Sequence, residues 1–405
     1  MKKMIKALSL ALVLIMCFSS VAFALDVPSV QPLKFNDGNL RIMHITDTHL
    51  DNDNVDASVW LIAEACDREK PDIVIITGDN VDNVGDPENT KHLIDKLMAV
   101  FDERGIPAAV TFGNHDSESE SPNALTREEL MAYYNTHSSS VSVDDGAFLS
   151  GCGTYNIPVM STDGKKIKFN LWVFDSGDYD SEGHYACVQA DQVEWYKATS
   201  DALKFLNGGE KVYSLAFQHI IVEEVYDVLK KVDNKTLFAF EHMYNDGEYY
   251  TFDPAATNFG TLNETPCSGY LNYGQFDAMV EKGDVLAIFS GHDHTNAFGV
   301  RNNGIDISNS LSTRYNGDAF STQYGYRIID VKESDTSVYT TKVVHWFDMF
   351  TVSDLAEIKA EGDDYGYKLA LDVMFKGFFQ NVFEFKIYRA IVNAFTGGNV
   401  TYADC

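Results

Sequence analysis

The chain has 405 residues, 45% of them hydrophobic and 13% aromatic, which is enough apolar material for one large core and excludes a disordered polymer. Sixty acidic residues stand against 31 basic ones, a formal charge of −29. Such a surface repels nucleic acid and anionic membranes, so neither is expected as a partner, and an anionic substrate would need positive charge from a source other than Lys and Arg.

The first 24 residues read as a leader to be removed. Lys2, Lys3 and Lys6 precede an apolar run over 7–18, and Ala22-Phe23-Ala24 offers a small-x-small cleavage site. That is the pattern of a secretory signal peptide, with an apolar run too short for a stable span. The protein is therefore expected to be secreted or extracytoplasmic. Loss of the three leader lysines takes the charge from −29 to −32. Cys17 leaves with the leader. The remaining Cys66, Cys152, Cys187, Cys267 and Cys405 match no zinc or redox spacing, and any pairing among them is unreadable.

From residue 39 strand and helix patterns alternate. Residues 41–46 read as a strand, and Val55, Val59, Ile62 and Cys66 recur at helical spacing. Residues 72–77 form a continuous apolar strand of the kind buried on both faces. A helix bearing Leu93, Leu97 and Phe101 stops at Gly105 and leads through Pro107 into a strand over 108–112. Thr126 and Glu129 make a capping box for a helix through Tyr134. Strands follow over 155–160 and 167–174, then a helix with Val193, Tyr196, Leu203 and Leu206. Later strands are expected over 212–217, 285–290, 326–331 and 338–346. Repeated βα units followed by β-rich stretches predict an α/β fold with a mixed sheet, arranged as two packed sheets.

Two stretches resist this reading. Residues 245–273 show little regular pattern and many Gly, Asn, Thr and Tyr residues, as a substrate loop would. Residues 371–395 are apolar and aromatic, but Asp372, Lys376, Glu384, Lys386 and Arg389 disfavour a membrane span. A helix packing on the domain or on a neighbouring chain is expected there, with docking on a membrane surface as the alternative.

The polar clusters fall directly after the apolar strands, where open α/β sheets place ligands. They are Asp47-Thr48-His49, Gly78-Asp79, Gly113-Asn114-His115-Asp116, Gln218-His219 and Gly291-His292-Asp293-His294. Imidazoles, carboxylates and one amide, with no thiolate, suit divalent metals. Two ions about 3.5–4 Å apart can clamp both oxygens of a phosphoryl displacement. His44 reads as a structural histidine inside the first strand. His92, His137, His242 and His345 read as structural or surface groups.

At these residues the sequence resembles the calcineurin-like metallophosphoesterase superfamily. Phe174-Asp175-Ser176-Gly177-Asp178-Tyr179, Ala216-Phe217-Gln218-His219-Ile220 and the run from Gly283 to His294 narrow the likeness to the branch related to purple acid phosphatases. It covers residues 39–347, leaving 348–405 as a C-terminal extension of unknown role. The resemblance implies two mixed β-sheets packed face to face with helices outside. It implies one metal held by Asp47, His49, Asp79 and His294, and a second held by Asp79, Asn114, His219 and His292. It also implies hydrolysis of a phosphate ester by a bridging hydroxide, with His115 as general acid and Asp116 orienting its ring. The ions would be Fe, Mn or Zn, and the substrate a small phosphorylated molecule, with a monoester favoured.

A phosphodiesterase on nucleotides or lipid head groups uses the same site, and a secreted binding protein could keep the fold without turnover. Purple acid phosphatases place a tyrosine three residues after the bridging aspartate. Asp82 stands there in this chain, so their iron-to-tyrosinate colour is not expected. Asp82 then reads either as an added ligand or as a solvated loop residue. Tyr179, His184, Arg314 and Tyr315 are candidate substrate contacts.

Overall fold

The structure is a computed structural model that describes residues 33–380 apart from 83–84, 119–122, 144–148, 254–255, 257 and 317–323. The expected leader, Cys405 and residues 381–395 of the apolar tail lie outside the described residues.

Strict alternation along the strands builds the core. In strand β1 (Asn39–Ile45) Ile42 faces one way and Met43 the other, and in β2 (Ile73–Thr77) Ile73 and Ile75 oppose Val74 and Ile76. Every one of these side chains is buried, so both faces of the sheet must be covered. Strand β3 (Ala108–Thr111) continues the parallel order, while β14 (Gly325–Lys332) and β15 (Asp335–His345) pair antiparallel on the other side. The result is a five-stranded mixed sheet ordered β15-β14-β1-β2-β3.

A second sheet of seven strands packs on it. Its centre is parallel: β5 (Ile167–Val173), β6 (Tyr213–Phe217), β11 (Val285–Ser290) and β13 (Ile305–Asn309). Antiparallel strands β4 (Tyr155–Met160), β12 (Ala297–Asn302) and β10 (Asn258–Thr261) flank them. Ile42, Ile73 and Ile75 meet Leu171, Leu215, Phe217 and Phe289 between the sheets.

Helices cover the outer faces. Helices α1 (Val55–Glu69), α2 (Pro87–Arg104) and α3 (Arg127–Tyr134) lie on the first sheet. Helices α4 (Ala190–Leu206) and α5 (Gln275–Lys282) lie on the second. The local signals act as chemistry dictates. Asp86 caps α2 by accepting from Glu88 and Asn89 N–H, with Pro87 at the first helical position and Gly105 left-handed at the end. Thr126 and Glu129 form the capping box of α3.

The stretch 245–273 is more regular than its composition suggests. Strands β7 (Leu229–Val232), β8 (Phe240–Glu241) and β9 (Tyr249–Phe252) make a small antiparallel sheet, and β10 joins the large one. Strands of two to four residues carry no periodic signal of their own. The described part of the C-terminal extension folds back on the domain. In helices α6 (Val352–Glu361) and α7 (Asp364–Gln380), Ile358, Leu369, Ala370 and Val373 join the core beneath α1, and Trp60 Nε1 donates to Asp363. No helix among the described residues is long and apolar enough to cross a membrane.

Candidate metal centre

The loops after β1, β2 and β3 of one sheet and after β6 and β11 of the other meet at one end of the sandwich. Their backbone is unusual. Asp47, His49, Asp79 and His292 all have positive φ, between 39° and 73°. Non-glycine residues seldom adopt this conformation, and it clusters where a side chain must be aimed. The motif glycines have a different reason: close approach. A Cβ on Gly113 would fall onto Asp79 Oδ1, and one on Gly291 would fall onto Thr46 and Asp47.

Two donor groups result. Ligand atoms of Asp47, His49, Asp79 and His294 all lie within 4.8 Å of one another, and so do those of Asp79, His219 and His292. Asp79 belongs to both. His49 Nε2 stands 3.0 Å from His294 Nε2 and 3.8 Å from Asp79 Oδ2, and His294 Nε2 stands 3.5 Å from Asp47 Oδ1. On the other side His219 Nε2 lies 3.1 Å from Asp79 Oδ2 and 3.2 Å from Asn114 Oδ1.

The far side of each donor is fixed. His49 Nδ1 donates to Asp82 Oδ1 at 2.8 Å, and His219 Nδ1 donates to the Thr77 carbonyl at 2.8 Å. Both bonds aim Nε2 at the centre, where it offers a lone pair once the ring is neutral. Asn114 Nδ2 donates to Tyr179 Oη at 2.8 Å, which turns Oδ1 inward. Asp79 Oδ1 accepts the His115 backbone N–H, and Asp47 accepts the N–H of His292 and the Thr46 hydroxyl.

Two polar atoms at the junction are buried without a well-aligned hydrogen bond: Asp79 Oδ2, which faces the ring nitrogens of His219 and His49, and His292 Nε2. Native proteins pair nearly all such atoms. Orphaned lone pairs on a carboxylate and an imidazole, converging with five further oxygen and nitrogen donors, fit a pair of divalent cations. The charges of the protein alone carry the same tension. Burial lowers His219, but Asp79 and Asp47 outweigh it and hold the ring up to about 9. Burial, then the positive His219 ring 5.0 Å away, pushes His292 down to about 3. Asp47 and Asp79 stay low despite burial because His219 and its neighbours face them. Binding a cation here would displace the His219 proton.

The remaining sequence candidates separate. The His115 ring lies 5.6 Å from that of His49, at the open side, with its backbone tied to Asp79. Asp116 does not orient it, contrary to expectation. Its carboxylate accepts from the backbone N–H of Asp79, Asn80 and Gly113, pinning the β2 and β3 loops together. Burial, then the Asp79 charge, raises Asp116 to about 6. His115 Nδ1 is bonded to Glu118 instead. Asp82 is not aimed at the centre: its partly exposed carboxylate holds His49 from behind. Tyr315 is turned away: its hydroxyl donates to Asp372 of α7 at 2.6 Å. Arg314 bonds the Asn316 carbonyl. His184 donates to Asp180 at 3.0 Å, one loop out from the donors.

Sequence reasoning missed Glu118, and it missed Arg127. Buried Arg127 grips Asp175 at 2.7 Å and the Gly113 carbonyl at 2.6 Å, bracing the β3 loop from behind. Cys267, His292 and Asp293 form a third close group, but Asp293 accepts from Cys267 N–H and Asn296, and burial with Glu264 raises it to about 8. Among the described residues, Cys66, Cys187 and Cys267 form no disulfide.

The sequence profile of the family described as Calcineurin-like phosphoesterase matches residues 40–296, which take in every donor above. The chain belongs to the calcineurin-like phosphoesterase family. Within it, a protein of Arabidopsis thaliana named "Probable inactive purple acid phosphatase 14" is 28% identical over 316 residues, covering 70% of this chain and 73% of that one. The phosphatase DCR2 of Saccharomyces cerevisiae is 23% identical over 342 residues, 76% of this chain and 54% of the yeast protein. A dimetal phosphatase from Danio rerio superposes over 75% of this chain and 98% of that one, with 12% identity and a TM-score of 0.46. The two mixed sheets flanked by helices that the resemblance implied are present in this chain.

Proposed function

We propose that the protein is an exported hydrolase of phosphate esters, with monoesters favoured, that works with two metal ions. The observation that carries the reading is the meeting of two buried donor groups at Asp79, whose Oδ2 faces only ring nitrogens, with His292 Nε2 left without a partner. A pair of ions held there supplies Lewis acidity and an activated water. The chain supplies the rest. In a protein of charge −29, such a centre would bring the local positive charge needed to draw in a phosphate.

His115 is the proton donor in this reading. Its Nδ1 is engaged by Glu118, which leaves Nε2 to face the leaving oxygen. Asp116 serves catalysis indirectly, by holding the Asp79 and His115 loops in register. Export rests on the sequence pattern of the first 24 residues.

A second reading deserves a place because of the relatives' names: the Arabidopsis protein is called inactive. A binding protein that keeps the centre without turnover would share this fold. Against it stands the donor set, complete from Asp47 to His294. Purified protein reconstituted with Mn, Zn or Fe decides. We expect hydrolysis of 4-nitrophenyl phosphate that exceeds hydrolysis of bis(4-nitrophenyl) phosphate and stops with chelator. Stoichiometric metal without turnover of either ester supports the binding protein, and faster turnover of the diester supports a phosphodiesterase.

A further inference from the structure

Outward from the second donor group the neighbours are aromatic rings rather than charges. Tyr179, whose hydroxyl holds Asn114, stacks on Tyr185 with centroids 5.5 Å apart at 27°. Tyr185 stands edge-on to His292 at 4.3 Å. The backbone N–H of Tyr185 donates to the Tyr244 hydroxyl, and its carbonyl accepts from Tyr270 N–H, both at 2.9 Å. Tyr244 and Tyr270 meet edge to face at 5.1 Å, and His184 lies flat on Tyr270 at 4.1 Å. Three loops, distant in sequence, thus build one wall of five rings.

This wall differs from a packing cluster in two ways. None of the five rings belongs to the hydrophobic cores, and Tyr270 is 50% exposed while the inner tyrosines are half-buried. The wall also begins at two metal donors and ends at solvent. Its nearest charged neighbours are carboxylates, with Arg127 reaching one of them, Asp178, at 3.8 Å. Asp180 holds His184, and Glu118, Asp79 and Asp178 face Tyr179. No Lys or Arg is stacked on these rings among the described residues. A second phosphate or a carboxylate on the substrate would be repelled there. A flat, uncharged ring would be held, since every aromatic ring offers a face.

We propose that the wall seats the alcohol part of the ester, and that this alcohol carries a planar aromatic ring. The inference rests on the phosphoesterase reading and adds its substrate class: phosphate monoesters of nucleosides or of arylalkyl alcohols. Both present the same chemistry, a planar ring one or a few bonds from a primary ester.

Matched pairs test it on the metal-reconstituted full chain, because each pair shares a primary-alcohol leaving group and differs in the ring. One pair is adenosine 5′-monophosphate and ribose 5-phosphate; the other is benzyl phosphate and cyclohexylmethyl phosphate. Stacking on an aromatic side chain is typically worth about one to two powers of ten. We expect kcat/KM to favour the ring-bearing member by about tenfold or more in at least one pair, and that pair names the source. Tyr270→Ala should bring the ratio toward one through KM, and Tyr270→Phe should restore it. A ratio near one in both pairs, or a ratio that Tyr270→Ala leaves intact, overturns the proposal. If 4-nitrophenyl phosphate turns over and none of the four esters does, the proposal is overturned; if neither it nor its diester turns over, the phosphoesterase reading fails. Calorimetry with adenosine 5′-monophosphate and ribose 5-phosphate then tests the wall separately, and equal affinities overturn it.

Discussion

In the first donor group, His49 is held by a side chain, Asp82, whose carboxylate is 32% exposed, and His294 is itself 26% exposed. In the second group, His219 is fully buried and held by a backbone carbonyl, that of Thr77 at the end of β2, while Tyr185 covers His292. The two halves share Asp79 but not rigidity. A carboxylate on a loop can rotate away or be taken by solvent, whereas a carbonyl fixed in a buried parallel strand cannot. The second half should therefore be the better preorganised and keep its ion longer. Donor identity alone would have made the halves look equivalent.

The largest effect that can test the comparison is loss of the shared residue. Asp79→Ala should leave less than one ion per chain by elemental analysis and no measurable hydrolysis, while His292→Asn should spare an ion in the first half. If Asp79→Ala keeps one tight ion, the halves are independent and Asp79 does not bridge.

Next comes the group that should touch neither ion. His115→Asn should keep both ions and lose turnover by about 10²–10⁴, the usual contribution of a general acid. Glu118→Gln should reproduce part of that loss. A mutant that instead loses a metal equivalent would place His115 among the ligands.

A smaller change sharpens the contrast itself. Asp82→Asn should weaken only the first ion, by about 10–100-fold, as removal of a ligand's hydrogen-bond partner commonly does. Competition with a chelator of graded strength should then resolve two affinities further apart than in the parent. Equal weakening of both ions would mean that Asp82 supports the whole centre.

The mildest test concerns the floor beneath the second half. His44 bonds Thr77 Oγ1 at 2.7 Å and Ser310 Oγ at 2.9 Å, in the strand whose carbonyl holds His219. Burial, then the Arg327 charge, pushes His44 down to about 3. The unfolded ring titrates near 6.5, so between about 6.5 and 3 the unfolded chain binds a proton that the folded chain refuses. Stability is then lost as pH falls through that window, by at most ~1.4 kcal/mol per pH unit from this group. In metal-free protein, His44→Gln should flatten the pH dependence of the urea midpoint between pH 6.5 and 5. An unaltered slope would mean that other groups take up the proton.

The donors were legible because each sits immediately after an apolar strand, and the strand pattern places those ends together. Their supports were not. Asp116 and Glu118 lie within three residues of His115, and spacing cannot say which carboxylate meets the ring. The turn after β3 decides it by pointing Asp116 at three backbone N–H groups. Tyr315 looked like a substrate contact from its place after the last motif, but its partner, Asp372, is 57 positions on. The small sheet of β7, β8 and β9 was hidden because strands of two to four residues have no period to read.

The donors come from loops after five different strands and run from Asp47 to His294 in the chain. Contacts between residues so far apart in sequence form late, after loop closure has been completed elsewhere. A cation that binds only the finished pocket finds nothing to hold in the folding transition state. Its stabilisation should fall on the escape rate from the native state, leaving the rate of approach alone. Stopped-flow traces with metal and with chelator should show matching refolding limbs and separated unfolding limbs. Metal would then lengthen the protein's lifetime against proteolysis without helping it to fold.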